Sequence, residues 1–374
     1  MCVIILTERK RIMRRIYLDN AATSFPKPSE VSKAVYEYMT VGGSNINRGT
    51  YSEAYSAAEA VLECRDLLAS LFNGGDCKNL IFTKNVTESI NVVLNALLKP
   101  GDHVLTSSME HNAVMRPLVA LAEKGLSFDR IPCREDGSLL LEEIEALIKP
   151  ETAAIVMTHA SNICGTLMPA KELGEICKKH GLLFVLDCAQ TAGIIPIDME
   201  EMNISALCFT GHKSLLGPQG TGGFILREEL IERAKPFILG GTGSVSHTLV
   251  MPEFMPDKFE AGTMNLPGIM GLRAALLWLK SRGEGEILEH ELMLTQRFIE
   301  GIEPLEKAGK IKIFGKRGRE ERVGVVSIQT LEKDPALAAH ELHKNYGIAT
   351  RVGLHCAPDA HRTIGSFPAG TIRF

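Results

Sequence analysis

Between residues 80 and 226, short apolar runs alternate with amphipathic helical stretches. This alternation constrains the fold more than any other feature of the chain. Leu80–Phe82, His103–Thr106, Ser127–Ile131, Ala153–Met157, Leu182–Leu186, Ala206–Phe209 and Gly222–Leu226 read as strands. Helices are expected over Thr87–Leu98, Asn112–Lys124, 140–149 and 169–180. Short apolar runs separated by helix-length patterns predict an α/β fold with a mostly parallel seven-stranded sheet covered by helices. A second region starts near Pro267. Helical patterns over Gly268–Lys280 and Glu286–Lys307 precede apolar runs at Lys310–Phe314 and Val323–Gln329, a helix over Pro335–Lys344, and a run at Ile348–Arg351. These make a smaller α+β unit, which a strand near Tyr17 joins. The expected division is a large domain of residues 28–266 and a small domain of residues 1–27 and 267–374.

A chain of 374 residues has length for roughly two to three domains. The net charge of −4 argues against a broad basic surface for nucleic acid or anionic membrane. No apolar run reaches the roughly 18 residues of a membrane span. At the N-terminus, charge follows the apolar Met1–Leu6, the reverse of a secretory signal. The nine cysteines show no Cys-x-x-Cys spacing, which fits a reducing cytoplasm. His340-Glu-Leu-His343 lacks the spacing of a zinc helix, so no metal is expected.

Chemistry concentrates around Lys213. The strand ending at Asp187 is followed by Cys188-Ala-Gln190, and the next strand leaves through Thr210-Gly-His-Lys213. A lone lysine in a polar loop is ordinarily a solvated surface group. An acid at one strand end and a lysine after the next suit pyridoxal phosphate (PLP). The amine forms a Schiff base with the aldehyde, and the acid keeps the ring nitrogen protonated. Thr210 and His212 are placed to donate to the phosphate. Gly217–Gly223 is glycine-rich but has neither dinucleotide nor P-loop spacing.

Eight segments occur in order: Tyr17–Ala22, Thr83–Asn91, Met109–His111, Ser161-Asn162, Asp187–Gln190, Thr210–Lys213, Phe259–Thr263 and Arg351–Ala357. Together they resemble the class V aminotransferase group and, more narrowly, the cysteine desulfurases. The resemblance runs from Tyr17 to the last residue. It implies the PLP-dependent transferase fold of type I, a homodimer with shared active sites, and further chain beyond Phe374. It implies that Lys213 and Asp187 hold PLP, with His111 stacked on the ring and acting in catalysis. Asn162 and Gln190 would meet the phenolic oxygen, Asn162 alternatively the substrate carboxylate. Thr87, Thr210 and His212 would bind phosphate. Val86 stands where the family commonly carries a hydroxyl, which removes one contact. Thr263 would reach the neighbouring subunit's phosphate, and Arg48 lies in a loop that resembles one crossing the dimer interface. Arg373, Asn162, Ala22 and Arg48 would form the substrate side of the site.

Cys356, in Arg351-Val-Gly-Leu-His-Cys356, separates the chain from plain aminotransferases. The resemblance implies that L-cysteine is converted to L-alanine with sulfur carried as a persulfide on Cys356, for delivery to a sulfur-acceptor protein. Arg351, and His355 when protonated, are cationic neighbours that favour the thiolate. A selenocysteine lyase or another class V lyase or aminotransferase shares the Lys213 constellation without needing the thiol.

Overall fold

The computed structural model describes residues 15–47, 49–283 and 285–374. Arg48, expected at the substrate side, lies outside the described residues. The elements run β1 (Ile16–Tyr17), α1 (Ser29–Glu37), a π-turn (Tyr38–Gly42), α2 (Ser52–Leu71), β2 (Leu80–Thr83), α3 (Val86–Leu97), β3 (His103–Ser107) and α4 (Asn112–Ala122). Next come β4 (Ser127–Ile131), α5 (Ile144–Leu147), β5 (Thr152–Thr158), α6 (Ala170–His180), β6 (Leu183–Asp187), β7 (Ala206–Thr210) and β8 (Gly222–Leu226). Then follow α7 (Leu266–Lys280), α8 (Glu286–Lys307), β9 (Ile311–Phe314), β10 (Ser327–Thr330), α9 (Pro335–Tyr346), β11 (Ile348–Ala349), β12 (Arg351–Gly353), α10 (Pro358–Thr363) and β13 (Thr371–Arg373).

Seven strands form one sheet in the order β2-β8-β7-β6-β5-β3-β4. The pairs from β4 to β7 are parallel, because helices or long crossovers join those strands. β8 pairs antiparallel with both β7 and β2. The turn from β7 to β8 is too short for a crossover helix and reverses the chain instead. One face of the sheet packs apolar residues with α2 and α6, among them Leu68, Leu105, Leu173 and Phe184. The other packs Ile90, Val93, Val104, Val114 and Leu118 under α3 and α4. All five β7 residues are buried, as strands covered on both faces must be.

A four-stranded antiparallel sheet, β12-β13-β10-β9, and the parallel pair β1–β11 complete the fold. The N-terminal strand therefore joins the C-terminal region, as expected. α7 starts at the Asn265 cap, whose Oδ1 accepts the Gly268 N–H at 3.1 Å, and packs against α1 and α2. Two expectations change. The helix over 140–149 shrinks to a 3₁₀ turn at Leu141–Glu143 and the single turn α5, which ends where Ile148 turns extended. The run Val323–Gln329 becomes strand only from Ser327. Its first residues lie instead over Gly165, where the Val323 N–H donates to the Gly165 carbonyl at 2.9 Å. Gly165 has φ of +76°, and a Cβ there would come within 2.8 Å of the Val325 carbonyl. Helices α1 and α2 have no counterpart in the alternating pattern.

Candidate active site

The site gathers at the C-terminal ends of the parallel strands, where open α/β sheets bind ligands. β6 ends in Asp187, which is buried and whose Oδ1 accepts the Ala189 N–H at 2.9 Å. Burial raises its carboxyl pKa against that hydrogen bond and the charge of Lys213. β7 ends at Thr210, three residues before Lys213. Burial, and then the charges of Arg373 and Arg351, bring the Lys213 amine down to about 8, although Asp187 and Cys356 oppose the shift. Asp187 and Lys213 thus share one desolvated region, each without a hydrogen-bonded partner of opposite charge.

His111 is the N-cap of α4. Its Nδ1 accepts the Ala113 N–H at 3.0 Å. Burial, followed by Lys213, Arg373 and Arg116, pushes its pKa down to about 4, so the ring is neutral. Gln190 is buried and donates through Nε2 to the Ala21 carbonyl at 3.1 Å, which brings the N-terminal segment and Ala22 into the neighbourhood. His212 is lowered to about 4, by burial first, and its Nδ1 is buried with no partner. The Thr210 hydroxyl faces the Thr221 carbonyl at 3.4 Å.

α3 begins beside β8. A Cβ at Gly222 would fall 2.7 Å from the Asn85 Cα, so glycine is what lets the helix start approach the strand. The helix cap is Asn85, whose Oδ1 accepts the Glu88 N–H at 3.0 Å. Thr87 is in the first turn and exposed, and Val86 packs into the core. The first N–H groups of a helix have no intrahelical acceptor, so the Val86 and Thr87 amides remain for an anion.

The thiol arrives from the C-terminal region. Among the described residues, Cys356 is the only exposed cysteine, whereas burial drives the Cys188 and Cys208 thiols well up. His355 and Cys356 have φ of +45° and +58°, left-handed geometry that costs a side-chain-bearing residue about 1–2 kcal/mol each. Both carbonyls are held. Asn162 Nδ2 donates to His355 O at 2.9 Å, and the Asn112 N–H donates to Cys356 O at 2.7 Å. The thiol loop is therefore tied to the helix that His111 caps. His355 does not act as a cation: burial, Arg373 and His361 push its pKa down to about 3. Arg351 remains as the charged neighbour on the loop's own strand.

Arg373 lies in β13 and is 3% exposed. Its Nη1 donates to the Asn162 carbonyl at 3.0 Å, and its Nη2 to Asp19 Oδ1 at 3.2 Å. Its Nε is buried with no partner. Thr263 is exposed, downstream of Glu260, whose carboxylate pairs with Arg65 at 2.5 Å. Sequence reasoning missed two carboxylates, the buried Glu110 and the half-buried Asp19. Glu110 stands next to His111 and accepts the Thr158 N–H at 3.0 Å, and Asp19 binds two arginines. The Met109–His111 and Tyr17–Ala22 motifs contain both, but only tertiary contacts reveal their partners.

The residues present fit PLP. A buried acid and a desolvated amine sense each other's charge without a hydrogen-bonded counter-ion, and donors are free at His212 and at the start of α3. The aminotransferase class-V profile matches residues 16–374. The chain belongs to the class V aminotransferase family. A family relative from Pyrococcus abyssi, named "Probable cysteine desulfurase", is 34% identical over 353 residues, covering 91% of this chain and 85% of the relative. A cysteine desulfurase from Escherichia coli O157:H7 is 33% identical over 351 residues, covering 91% and 84%. The apo structure of the cysteine desulfurase from Thermococcus onnurineus superposes with a TM-score of 0.87 at 33% identity, covering 96% of this chain and 89% of that one. CsdA from Escherichia coli, a cysteine desulfurase solved as an S-sulfonic acid, gives 0.85 at 27% identity, covering 96% and 88%. Among the described residues no helix is long and apolar enough to cross a membrane, and no three His, Cys, Asp or Glu side chains group to hold a metal.

Proposed function

We infer that this chain is a PLP-dependent cysteine desulfurase that takes L-cysteine to L-alanine and carries the sulfur as a persulfide on Cys356. The observation that carries the reading is Cys356 itself. It is an exposed thiol on a strained loop, pinned by Asn162 and by the start of α4, within the electrostatic reach of Lys213.

When bound, PLP supplies an electron sink for the pair left on the substrate Cα. Lys213 and Asp187 would hold it, with the Val86 and Thr87 amides, Thr210 and His212 available to the phosphate, and with Gln190 and Asn162 available to the phenolic oxygen. The desolvated Asp187 carboxylate would keep a proton on the ring nitrogen. The neutral His111 ring would pack against it. A lysine amine near 8 is matched to moving the Cα proton close to neutral pH. The unpaired Nε of buried Arg373 clamps the substrate carboxylate, beside Asn162 and Ala22. The Cys356 sulfur then takes the substrate sulfur: the S–S bond forms as the Cβ–S bond breaks, and the electron pair stays on the carbon skeleton that becomes alanine.

The enzyme is a homodimer whose sites are shared through Thr263 and Arg48. Exposed Tyr36, Met39, Val41, Tyr55, Leu249 and Val250 supply apolar surface that a second copy would cover. The exposed thiol suits hand-off to a sulfur-acceptor protein. A reducing, cytoplasmic setting accords with the free thiols of the described residues. The test is alanine and sulfide release from L-cysteine, with mass spectrometry of the Cys356 peptide. Cys356→Ala keeps the absorbance change on adding cysteine and loses about 100-fold in alanine formation. Full activity in that variant, with no persulfide in the native protein, turns the assignment to a lyase or aminotransferase without a thiol relay.

A further inference from the structure

Arg351 and Arg373 stand directly opposite each other across the antiparallel β12–β13 ladder. Like charges in that position repel. Asp19 lies between them. Arg351 Nε donates to Oδ1 and Oδ2 at 3.1 and 3.2 Å, Arg351 Nη2 to Oδ2 at 2.9 Å, and Arg373 Nη2 to Oδ1 at 3.2 Å. The Asp19 side chain is 14% exposed and that of Arg373 4%. Two cations and one anion leave a positive charge unmatched, and the buried Arg373 Nε is the donor without a partner. The same carboxylate also holds the strand that runs on through Gly353 to Cys356. The Cys356 thiol lies within the electrostatic reach of Arg351 and of Lys213. His355, held neutral, adds no charge there.

We propose that Asp19 is a positioning residue that divides its carboxylate between two arginines, orienting Arg373 for the substrate carboxylate while damping the charge of Arg351 at the Cys356 thiol. The proposal rests on the desulfurase reading of Arg373 and Cys356. Its two halves have opposite signs when the Asp19 charge is removed. Arg373 loses the charge on its Nη2 partner and is repelled by Arg351, so carboxylate binding weakens. Arg351 loses its counter-ion, so more positive charge faces the loop that carries Cys356, and alkylation there becomes faster. A purely structural loosening gives no such gain in reactivity.

The experiment uses PLP-loaded native protein and Asp19→Asn. L-Alanine affinity is read by titrating the cofactor absorbance, and Cys356 alkylation by iodoacetamide is followed by mass spectrometry at pH 7. Asp19→Asn should bind alanine about 10-fold more weakly, the size of one charge-assisted contact, yet alkylate about three-fold faster. Adding Arg351→Met removes the repulsion and should recover most of the lost affinity, a coupling that a double-mutant cycle measures. Asp19→Glu keeps the charge, and its alkylation rate should stay within about two-fold of native. Unchanged or tighter alanine binding in Asp19→Asn overturns the proposal. So does weaker binding with slower or unchanged alkylation. A native protein whose absorbance responds to neither L-alanine nor L-cysteine overturns the desulfurase reading itself, and the role of Asp19 falls with it.

Discussion

The Asp187 carboxylate is held in an environment that disfavours its own charge, with the Ala189 N–H as its only hydrogen-bond donor among the described residues. A ring nitrogen bearing a proton relieves that cost, so Asp187→Asn should impair chemistry far more than folding. Alanine formation is expected to fall about 100-fold or more while the thermal midpoint moves by less than about 2 °C. Unchanged turnover with PLP bound refutes the role. Glu110 carries the opposite kind of information. Burial raises its pKa from 4.5 to about 8, against hydrogen bonds from Ser107 and Thr158. A carboxyl raised on folding contributes stability that is fully present below its unfolded value and is lost as pH rises toward the folded one. The native protein should therefore weaken between about pH 4.5 and 8. Glu110→Gln keeps the acceptor without the charge, and its melting temperature relative to native should rise by at least about 2 °C from pH 5 to pH 9. A pH-independent difference would remove the basis for a protonated Glu110. Neither carboxylate's pKa was legible in the sequence, because burial is set by neighbours distant along the chain. Asp187 was legible only as a motif.

The start of α3 is where local sequence and ligand chemistry meet. Asn85 accepts the Glu88 N–H, and the Glu88 carboxylate returns to the Lys84 N–H at 2.6 Å. This reciprocal cap fixes the first turn, and the Val86 and Thr87 amides follow from it. Asn85→Ala should cost about 1 kcal/mol of stability and weaken PLP retention about three-fold, because the fraying turn carries the anion-binding amides. Thermal melts and PLP titration check both, and unchanged PLP affinity would separate the phosphate site from α3. The Asn-x-x-Glu spacing is in the sequence, and the place of Thr87 in the first turn follows from it. The loop from β12 to α10 behaves differently. Gly353 and Pro358 flank this segment, and left-handed geometry at His355 and Cys356 depends on carbonyl partners from Asn162 and Asn112.

At the scale of the whole molecule, apolar surface on α1, α2 and the segment near Leu249 asks for a cover. Asn47 Nδ2 donates to the Thr242 carbonyl at 3.2 Å, so the loop after the π-turn and the segment leading to Thr263 adjoin. A second copy of the chain that buries this region would also bring Thr263 to the neighbouring phosphate. Mixing a Lys213→Ala protein with a Thr263→Ala protein should then restore activity through hybrid dimers with one native site each. Restoration should appear after subunit exchange, with light scattering reporting a dimer. A fully active monomer rules the shared site out.

The alternation of apolar runs and amphipathic helices determined the parallel sheet, its strand segments and the order of the motifs, because period and burial are local properties of a chain. Lys213 after β7 and Asp187 at the end of β6 were readable for the same reason. Only the tertiary structure placed Asp19 between Arg351 and Arg373, left Arg373 Nε without a partner, and set His355 neutral beside the thiol. More than 300 residues separate Asp19 from either arginine. Their charges meet because β1 pairs with β11 and β12 with β13, and electrostatics depends on distance in space rather than along the chain.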